Sequence, residues 1–275
     1  METTIAVWNE TLFENAKPEN QVHAWLRAIA ANQLARTARE WCEIFYRYNS
    51  GTYNNQWIIL DYKNFQPYKP LPDYDLLFVL EQMPGLIEYE DVSKSLKENT
   101  YFATYNIPIL PKIFKLSGYD KMEESYDWFS RTNSARAKIF KRDHSKVVNL
   151  ETLQTLMRYN NFTRDTLSRC NCTPPYTAQA TISARGDLND PNGTYPLWRM
   201  SYGNHGALDY KGNNYQLFKR LEFRALSSPP YENVPPFQWS KFALANKVKH
   251  VGHPDLWKFD CIETKWETLN INVKI

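Results

Sequence analysis

The sequence lacks a long apolar run. No stretch of its 275 residues reaches about 18 consecutive apolar side chains, so no membrane-spanning helix is predicted. The first nine residues also lack the basic segment and apolar segment of a signal peptide, so no signal peptide is expected in this chain.

An excess of charge of one sign is also missing. The 33 basic and 30 acidic residues leave a net charge of +3, which is too small and too evenly spread to indicate nucleic-acid binding. The densest basic run, Arg136–Arg142, contains Ile139 and Phe140, and this favours a solvated helix or strand edge over a phosphate site. Glycine is scarce, whereas 43% of residues are hydrophobic, so a sizeable core is expected in one large domain or in two.

Cysteines and the familiar catalytic motifs are few. Cys170-Asn-Cys172 allows a strained disulfide, while a metal pair there lacks a second Cys or His pair. His250-Val-Gly-His253 has no evident third ligand, so we predict neither a metal site nor a cofactor. Cys42 lies in a helical pattern and is expected to be a small buried hydrophobe. No Gly-x-Ser-x-Gly elbow, phosphate loop or dinucleotide fingerprint is present.

The order of helical and strand-like patterns predicts an α+β layered fold. The longest element is a predicted helix from Gln21 to Tyr48, with Asn20 as its N-cap. The other predicted elements are a short strand within residues 1–10, strands at 56–62 and 75–83 with a hairpin return at 86–89 after the turn Pro84-Gly85, a short helix over 92–97, a helix over 150–157 capped by Asn149, and strand-like pieces at 254–260 and 269–275. Residues 164–236 are polar and rich in Pro and Asn, with few periodic runs, so mostly irregular structure is expected there.

Three amides stand at the start of the strand predicted over 56–62. Asn54, Asn55 and Gln56 precede an apolar run that is typical of a buried strand. Buried amides need hydrogen-bond partners, so these side chains either tie loops together or face a cleft, and loop-tying is favoured.

Four sequons for N-glycosylation occur, at Asn9, Asn161, Asn171 and Asn192. About three would arise by chance in a chain so rich in Asn and Thr, so their number alone decides nothing. The sequon at Asn171 is followed by Pro174.

Eight segments, in order along the whole chain, resemble the phospholipase B-like family, which is also known through laminin ancestor protein. They are Tyr48–Trp57, Leu80–Gly85, Tyr105–Pro108, Arg136–Asp143, Met157–Asn160, Ile182–Asn189, Pro235–Ser240 and Pro254–Trp257. The resemblance implies an N-terminal nucleophile hydrolase fold, a four-layer αββα sandwich that is incomplete at the N-terminus here. It also implies that residues 1–275 form the C-terminal part of a single domain.

The resemblance further implies a cysteine nucleophile, exposed by internal cleavage of a longer precursor, whose own α-amine acts as the base. By the resemblance, that cysteine is expected to precede this chain, since Cys42 lies mid-helix in the predicted pattern and is not suited to replace it. Three positions match the family's site. Thr4 matches a threonine near the nucleophile, Asn106 an oxyanion donor, and Arg136 an arginine that balances charge. Their structural alternatives are a strand hydroxyl, a turn former before Pro108, and a surface cation.

The function that this resemblance implies is removal of acyl chains from glycerophospholipids by a lysosomal or secreted protein. Two alternatives stay open: an N-acyl amide hydrolase, and an inactive truncated member that binds lipid or a partner. The partners expected are a phospholipid or other acyl substrate and the N-terminal part of the precursor, with no nucleic acid and no transmembrane segment.

Overall fold

A four-stranded antiparallel sheet lies at the centre of the first half of the chain. The computed structural model describes residues 1–267, which divide into two compact units, Met1–Ala137 and the residues from Lys138 onward. The sheet of the first unit contains β1 (Glu2–Thr4), β2 (Asn55–Leu60), β3 (Leu77–Met83) and β4 (Leu86–Asp91), hydrogen-bonded in that order. β2, β3 and β4 confirm the predicted strands and the hairpin at Pro84–Gly85.

Different groups of elements cover the two faces of this sheet. Phe78 and Leu80 of β3 pack with helices α1 (Ala24–Leu34) and α2 (Ala38–Tyr46) on one face. Leu77 and Val79 pack on the other face, together with residues near α3 (Ser93–Asn99). All seven residues of β3 are buried, because both faces of the strand are covered.

The prediction of one helix over Gln21–Tyr48 is wrong. Ala35 is extended and ends α1, and Thr37 starts α2 by accepting a hydrogen bond from the Glu40 N–H over 3.1 Å. Asn20 does not cap α1 either, since the helix begins at Ala24 and Asn20 itself has φ = +57°.

The first unit contains further helices after the sheet. Two of them, α4 (Pro111–Leu116) and α5 (Tyr119–Ser125), are not predicted from the sequence, although Pro111 at the first helical position is a known start signal. Helix α6 (Ala135–Asp143) begins in the last residues of the first unit and continues into the second; it contains the basic run, whose Ile139 and Phe140 are buried. The prediction of a solvated helix edge is confirmed for Lys141 and Arg142, which are exposed, whereas Arg136 and Lys138 are half-buried.

The second unit consists mostly of irregular segments and short elements, as predicted for residues 164–236. Its α7 (Leu150–Met157) confirms the predicted helix, and Asn149 forms a capping box with Thr152. The other elements are β5 (Tyr210–Gly212), α8 (Tyr215–Lys219), β6 (Arg224–Leu226), β7 (Phe237–Gln238), β8 (Leu256–Trp257) and β9 (Ile262–Glu263). They form two small antiparallel sheets, β5-β6-β9 and β7-β8. The predicted strand at 269–275 lies outside the described residues.

Short 3₁₀ turns join these elements. They span Glu10–Asn15, Tyr62–Asn64, Asp127–Phe129, His144–Lys146, Thr166–Ser168, Gly186–Leu188, Trp198–Met200, Trp239–Lys241 and Ala245–Lys247. Among residues 1–267, no helix has both the length and the apolar character needed to cross a bilayer.

Candidate active site

A row of polar side chains crosses one face of the sheet in the first unit. The strand register pairs Thr3 with Gln56, Gln56 with Glu81, and Glu81 with Glu88. Directly paired residues of antiparallel strands point to the same face, so these four side chains form a continuous row from β1 to β4.

The segment from Asn106 to Lys112 crosses this row and is bonded to each of its members. Asn106 Nδ2 donates to Thr3 Oγ1 over 2.8 Å, and Gln56 Nε2 donates to the Ile107 carbonyl over 3.4 Å. The backbone N–H groups of Ile109 and Leu110 donate to the two carboxylate oxygens of Glu81, over 2.7 and 3.0 Å. Lys112 Nζ completes the series with a 2.5 Å contact to Glu88 Oε1.

Asn106 lies at the start of this segment in an unusual backbone conformation. Its φ of +67° is left-handed, a region that asparagine tolerates better than most residues. The Tyr119 hydroxyl donates to its carbonyl over 2.7 Å, which fixes the backbone there. Nδ2 donates to Thr3 Oγ1 and to the Thr4 carbonyl, so both amide hydrogens are engaged with β1.

Arg136 is the hydrogen-bond partner of the oxygen of the same amide. Its Nη1 donates to Asn106 Oδ1 over 2.8 Å. Arg136 lies in the first turn of α6, where the helix dipole disfavours a cation by roughly 0.3–1 kcal/mol. Among residues 1–267 no carboxylate forms an ion pair with it, and burial lowers its pKa to about 10. Arg136 therefore stays charged at neutral pH and has N–H groups left over for a further acceptor.

Thr4 contacts the candidate site through its backbone carbonyl. Its carbonyl accepts from Asn106, whereas its side chain is exposed. The hydroxyl that contacts Asn106 belongs to Thr3, because neighbouring residues of a strand point to opposite faces. The structure thus brings Asn106 and Arg136 together and places Thr4 beside them.

The three amides at the start of β2 are buried, and two of them tie backbone segments together. Asn54 donates to the Gly51 carbonyl over 2.8 Å, and Gln56 holds Ile107 and Glu81. The favoured prediction of loop-tying is confirmed for Asn54 and Gln56. Gln56 also belongs to the polar row, so it supports the segment that begins at Asn106.

Sequence reasoning missed Glu81. It lies within an apolar run, is 0% exposed, and accepts from Gln56 as well as from Ile109 and Leu110. Burial raises its pKa to about 7, although these donors and the charge of Arg131 act in the opposite direction. A carboxyl group in the middle of an apolar strand is the signal that could have identified it, because such a group requires partners.

The histidine and cysteine motifs both lie in the second unit. His250 stacks on Trp239, with ring centroids 4.1 Å apart, while His253 and Trp239 line a mainly apolar cavity of about 380 Å³. Within the described part of the chain, no group of three or more His, Cys, Asp or Glu side chains is arranged to hold a metal ion. Cys170 and Cys172 form a disulfide.

Cys42, in the first unit, is confirmed as a buried residue, at 0% exposure. Burial raises the pKa of its thiol to about 12. It therefore remains a neutral thiol at physiological pH, in keeping with a packing role.

Comparison with known proteins finds one family model and several relatives that match nearly the whole of this chain. The family model described as Phospholipase B matches residues 1–264. A phospholipase B-like 2 protein of Caenorhabditis elegans is 54% identical over 269 residues, and one of Rattus norvegicus is 44% identical over 269 residues. Phospholipase B-like protein B of Dictyostelium discoideum is 42% identical over 260 residues. These matches cover 98%, 97% and 94% of this chain and 46%, 46% and 43% of the relatives, so the chain spans about half their length.

Proposed function

The chain belongs to the phospholipase B family, and on that premise we propose that it supplies Asn106 and Arg136 to the active site of a lipid acyl hydrolase. The bond cleaved is the ester between a fatty acid and glycerol in a glycerophospholipid. The observation that carries the proposal is the Arg136 guanidinium, which has no carboxylate partner among the described residues and bonds only the Asn106 amide. A partly buried cation without a counter-ion is suited to binding an anion.

The proposed fold is an N-terminal nucleophile hydrolase sandwich with layers in the order αββα, of which residues 1–275 form the C-terminal part. Helices α1 and α2 on one face of the four-stranded sheet supply an αβ pair of layers, which supports this assignment. The nucleophile would be a cysteine contributed by the N-terminal part of the precursor. Thr4 would lie near it, on β1.

The proposed reaction divides hydrolysis into two steps. The cysteine thiolate attacks the ester carbonyl carbon, and its α-amine takes the thiol proton and passes it to the departing glycerol oxygen. Water then cleaves the thioester, which releases the fatty acid and restores the thiol. Each step places negative charge on the carbonyl oxygen, and preorganised donors stabilise that charge.

Arg136 is the better placed donor for that charge. Both amide hydrogens of Asn106 already bond β1, so Asn106 must release one of them to serve as an oxyanion donor itself. Arg136 uses one N–H group on Asn106 and keeps others for the substrate. We therefore assign the charge-stabilising role to Arg136, and to Asn106 the role of orienting it, with direct donation as a second role.

Release of fatty acid by the intact protein tests the proposal. The protein, with any natural sequence that adjoins this chain, is processed and mixed with phosphatidylcholine vesicles and, separately, with N-acyl amides. Fatty acid appearing from the vesicles supports phospholipid hydrolysis, and release from the amides alone supports the N-acyl amide alternative, which uses the same chemistry. Absence of release from both substrates contradicts the proposal.

The inactive alternative has a separate test. If the chain only binds lipid or a partner, Asn106→Ala changes stability and nothing else. If it is catalytic, the same substitution lowers the rate of release at unchanged vesicle binding. We further propose a lysosomal or secreted location, which suits the four sequons.

A further inference from the structure

A fully buried carboxylate lies beneath the segment that begins at Asn106. Glu81 is 0% exposed and receives three N–H donors, from Gln56, Ile109 and Leu110. All three partners donate hydrogen bonds, and an ionised carboxylate can accept from all of them. A proton on either oxygen would point toward a group that also donates, so the neutral carboxyl fits these partners less well.

We propose that Glu81 is a positioning residue for the Asn106–Arg136 pair, and that loss of its negative charge loosens the segment that carries Asn106. The catalytic part of this inference rests on the function proposed above. The positioning part rests on the contacts of Glu81 alone.

Asn106 is close in the chain to the backbone N–H groups that Glu81 binds. Only Ile107 and Pro108 lie between Asn106 and the first backbone N–H bonded to Glu81. Pro108 fixes its own φ and restricts Ile107, so this short connection is stiff. Movement at Ile109 is therefore passed to Asn106 rather than absorbed between them.

The contacts on either side of Glu81 make the segment depend on it. Asn106 is tied to Thr3 at one end of the polar row, and Lys112 is tied to Glu88 at the other. The Lys112 side chain is 67% exposed, and exposed ion pairs contribute little. The charge-assisted bonds of Glu81 are the strong ones in the middle.

The charged groups around Glu81 come from three directions. Glu88 faces it across the strand pair from β4, Lys112 neutralises Glu88 from α4, and Arg131 acts on Glu81 through its charge. Arg131 also donates to the Ile109 carbonyl over 2.6 Å, so it holds the same segment. Burial outweighs Arg131 and the three donors and raises the pKa of Glu81 to about 7. The carboxylate is thus ionised at pH 8 and protonated at pH 5.

Amide hydrogen exchange at Ile109 and Leu110 reports these bonds directly and needs no turnover. In the intact wild-type protein, we expect the protection of both amides, corrected for intrinsic exchange, to fall roughly tenfold between pH 8 and pH 5, with a midpoint near 7. In Glu81→Gln we expect low protection at both pH values. Glu90→Gln, which removes an exposed carboxylate of β4 outside the polar row, is the matched control and should behave as the wild type.

Kinetics separate positioning from a plain structural role. Glu81→Gln should lower kcat roughly tenfold at pH 8 with KM unchanged, and the difference from wild type should vanish at pH 5, where the wild-type carboxyl is itself neutral. A deficit of equal size at both pH values overturns the positioning role. Wild-type protection that does not change with pH overturns the dependence on charge. If protection follows the prediction but no fatty acid is released, the positioning of Asn106 stands and the hydrolase assignment fails.

Discussion

Arg136 and Asn106, thirty positions apart in the chain, meet through a 2.8 Å hydrogen bond from Nη1 to Oδ1. Because the guanidinium can only donate, it fixes the orientation of the amide and directs Nδ2 toward β1. The pair thus links the first turn of α6 to β1, the edge strand of the sheet. In this link the guanidinium donates to the amide oxygen, and the amide nitrogen donates to β1.

Replacing Arg136 tests its role in stabilising charge. Arg136→Gln keeps a donor for Asn106 but removes the positive charge, so we expect fatty-acid release to fall by about 10²–10³-fold, as for loss of one oxyanion donor. Its thermal stability should change little, since no ion pair is lost. Lys141→Gln makes the same change of charge on the exposed face of the same helix and should leave the rate unchanged. Equal rates in the two variants would contradict the assignment.

The titration of Glu81 should appear in the stability of the protein. Relative to the unfolded chain, where the carboxyl lies in water, a raised pKa means that the neutral form stabilises the fold: the contribution is full below the unfolded pKa of 4.5 and is lost as the pH rises through about 7. Loosening of the bonds to Ile109 and Leu110 is a different equilibrium, because it removes donors that favour the ionised form while Glu81 stays buried, so protonation favours it. The loss of folding stability between pH 4.5 and pH 8 should be on the order of 3 kcal/mol. Urea unfolding across this range measures it. Glu81→Gln should flatten this part of the profile, and an unchanged slope in the variant would rule out Glu81 as its source.

Gly51 should be among the least replaceable glycines. It has φ = +63°, and a Cβ there would lie 2.6 Å from Pro84 Cα, so Gly51→Ala meets both backbone strain and a clash. We expect a loss of more than about 2 kcal/mol in urea unfolding. Gly252→Ala has a similar φ of +81° but open space around it, so it isolates the strain. If the two variants lose the same stability, the contact with Pro84 has no cost.

The sequons differ in how accessible their asparagines are. Asn171 and Asn192 are exposed, whereas Asn9 is half-buried and donates from Nδ2 to the Leu116 carbonyl over 3.4 Å. Glycan attachment uses that nitrogen. In material from a secretory host, we expect sugar at Asn192 and Asn171 and none at Asn9, measured by glycopeptide mass spectrometry. Full occupancy at Asn9 would show that this contact does not protect it.

Local patterns predicted the elements whose ends carry strong signals. The hairpin of β3 and β4 follows from Pro84–Gly85, and α7 begins at its predicted cap, Asn149. The break between α1 and α2 had such a signal too. Thr37-Ala-Arg-Glu40 has the spacing of a capping box, but the prediction of a single helix followed the apolar periodicity, which continues through this segment, and did not use the cap.

The arrangement of the candidate site depended on information that local patterns do not hold. Asn106 and Arg136 entered as candidates through resemblance, whereas Glu81 did not, because its partners are backbone groups of Ile109 and Leu110. Which residue of β2 faces Glu81 is fixed by strand register, and register between distant strands depends on the folded sheet.

The complete burial of β3 has a consequence for how its register is chosen. Alternation of apolar and polar residues cannot distinguish the faces of a strand that is covered on both sides. Glu81 and Gln82 do distinguish them, since Glu81 meets the N–H groups of Ile109 and Leu110 while Gln82 accepts from Arg27 over 2.5 Å on the opposite face. A slip of one residue would exchange carboxylate and amide between these surroundings. These two adjacent polar residues therefore specify the register of β3, and with it the alignment of the strands that pair with it.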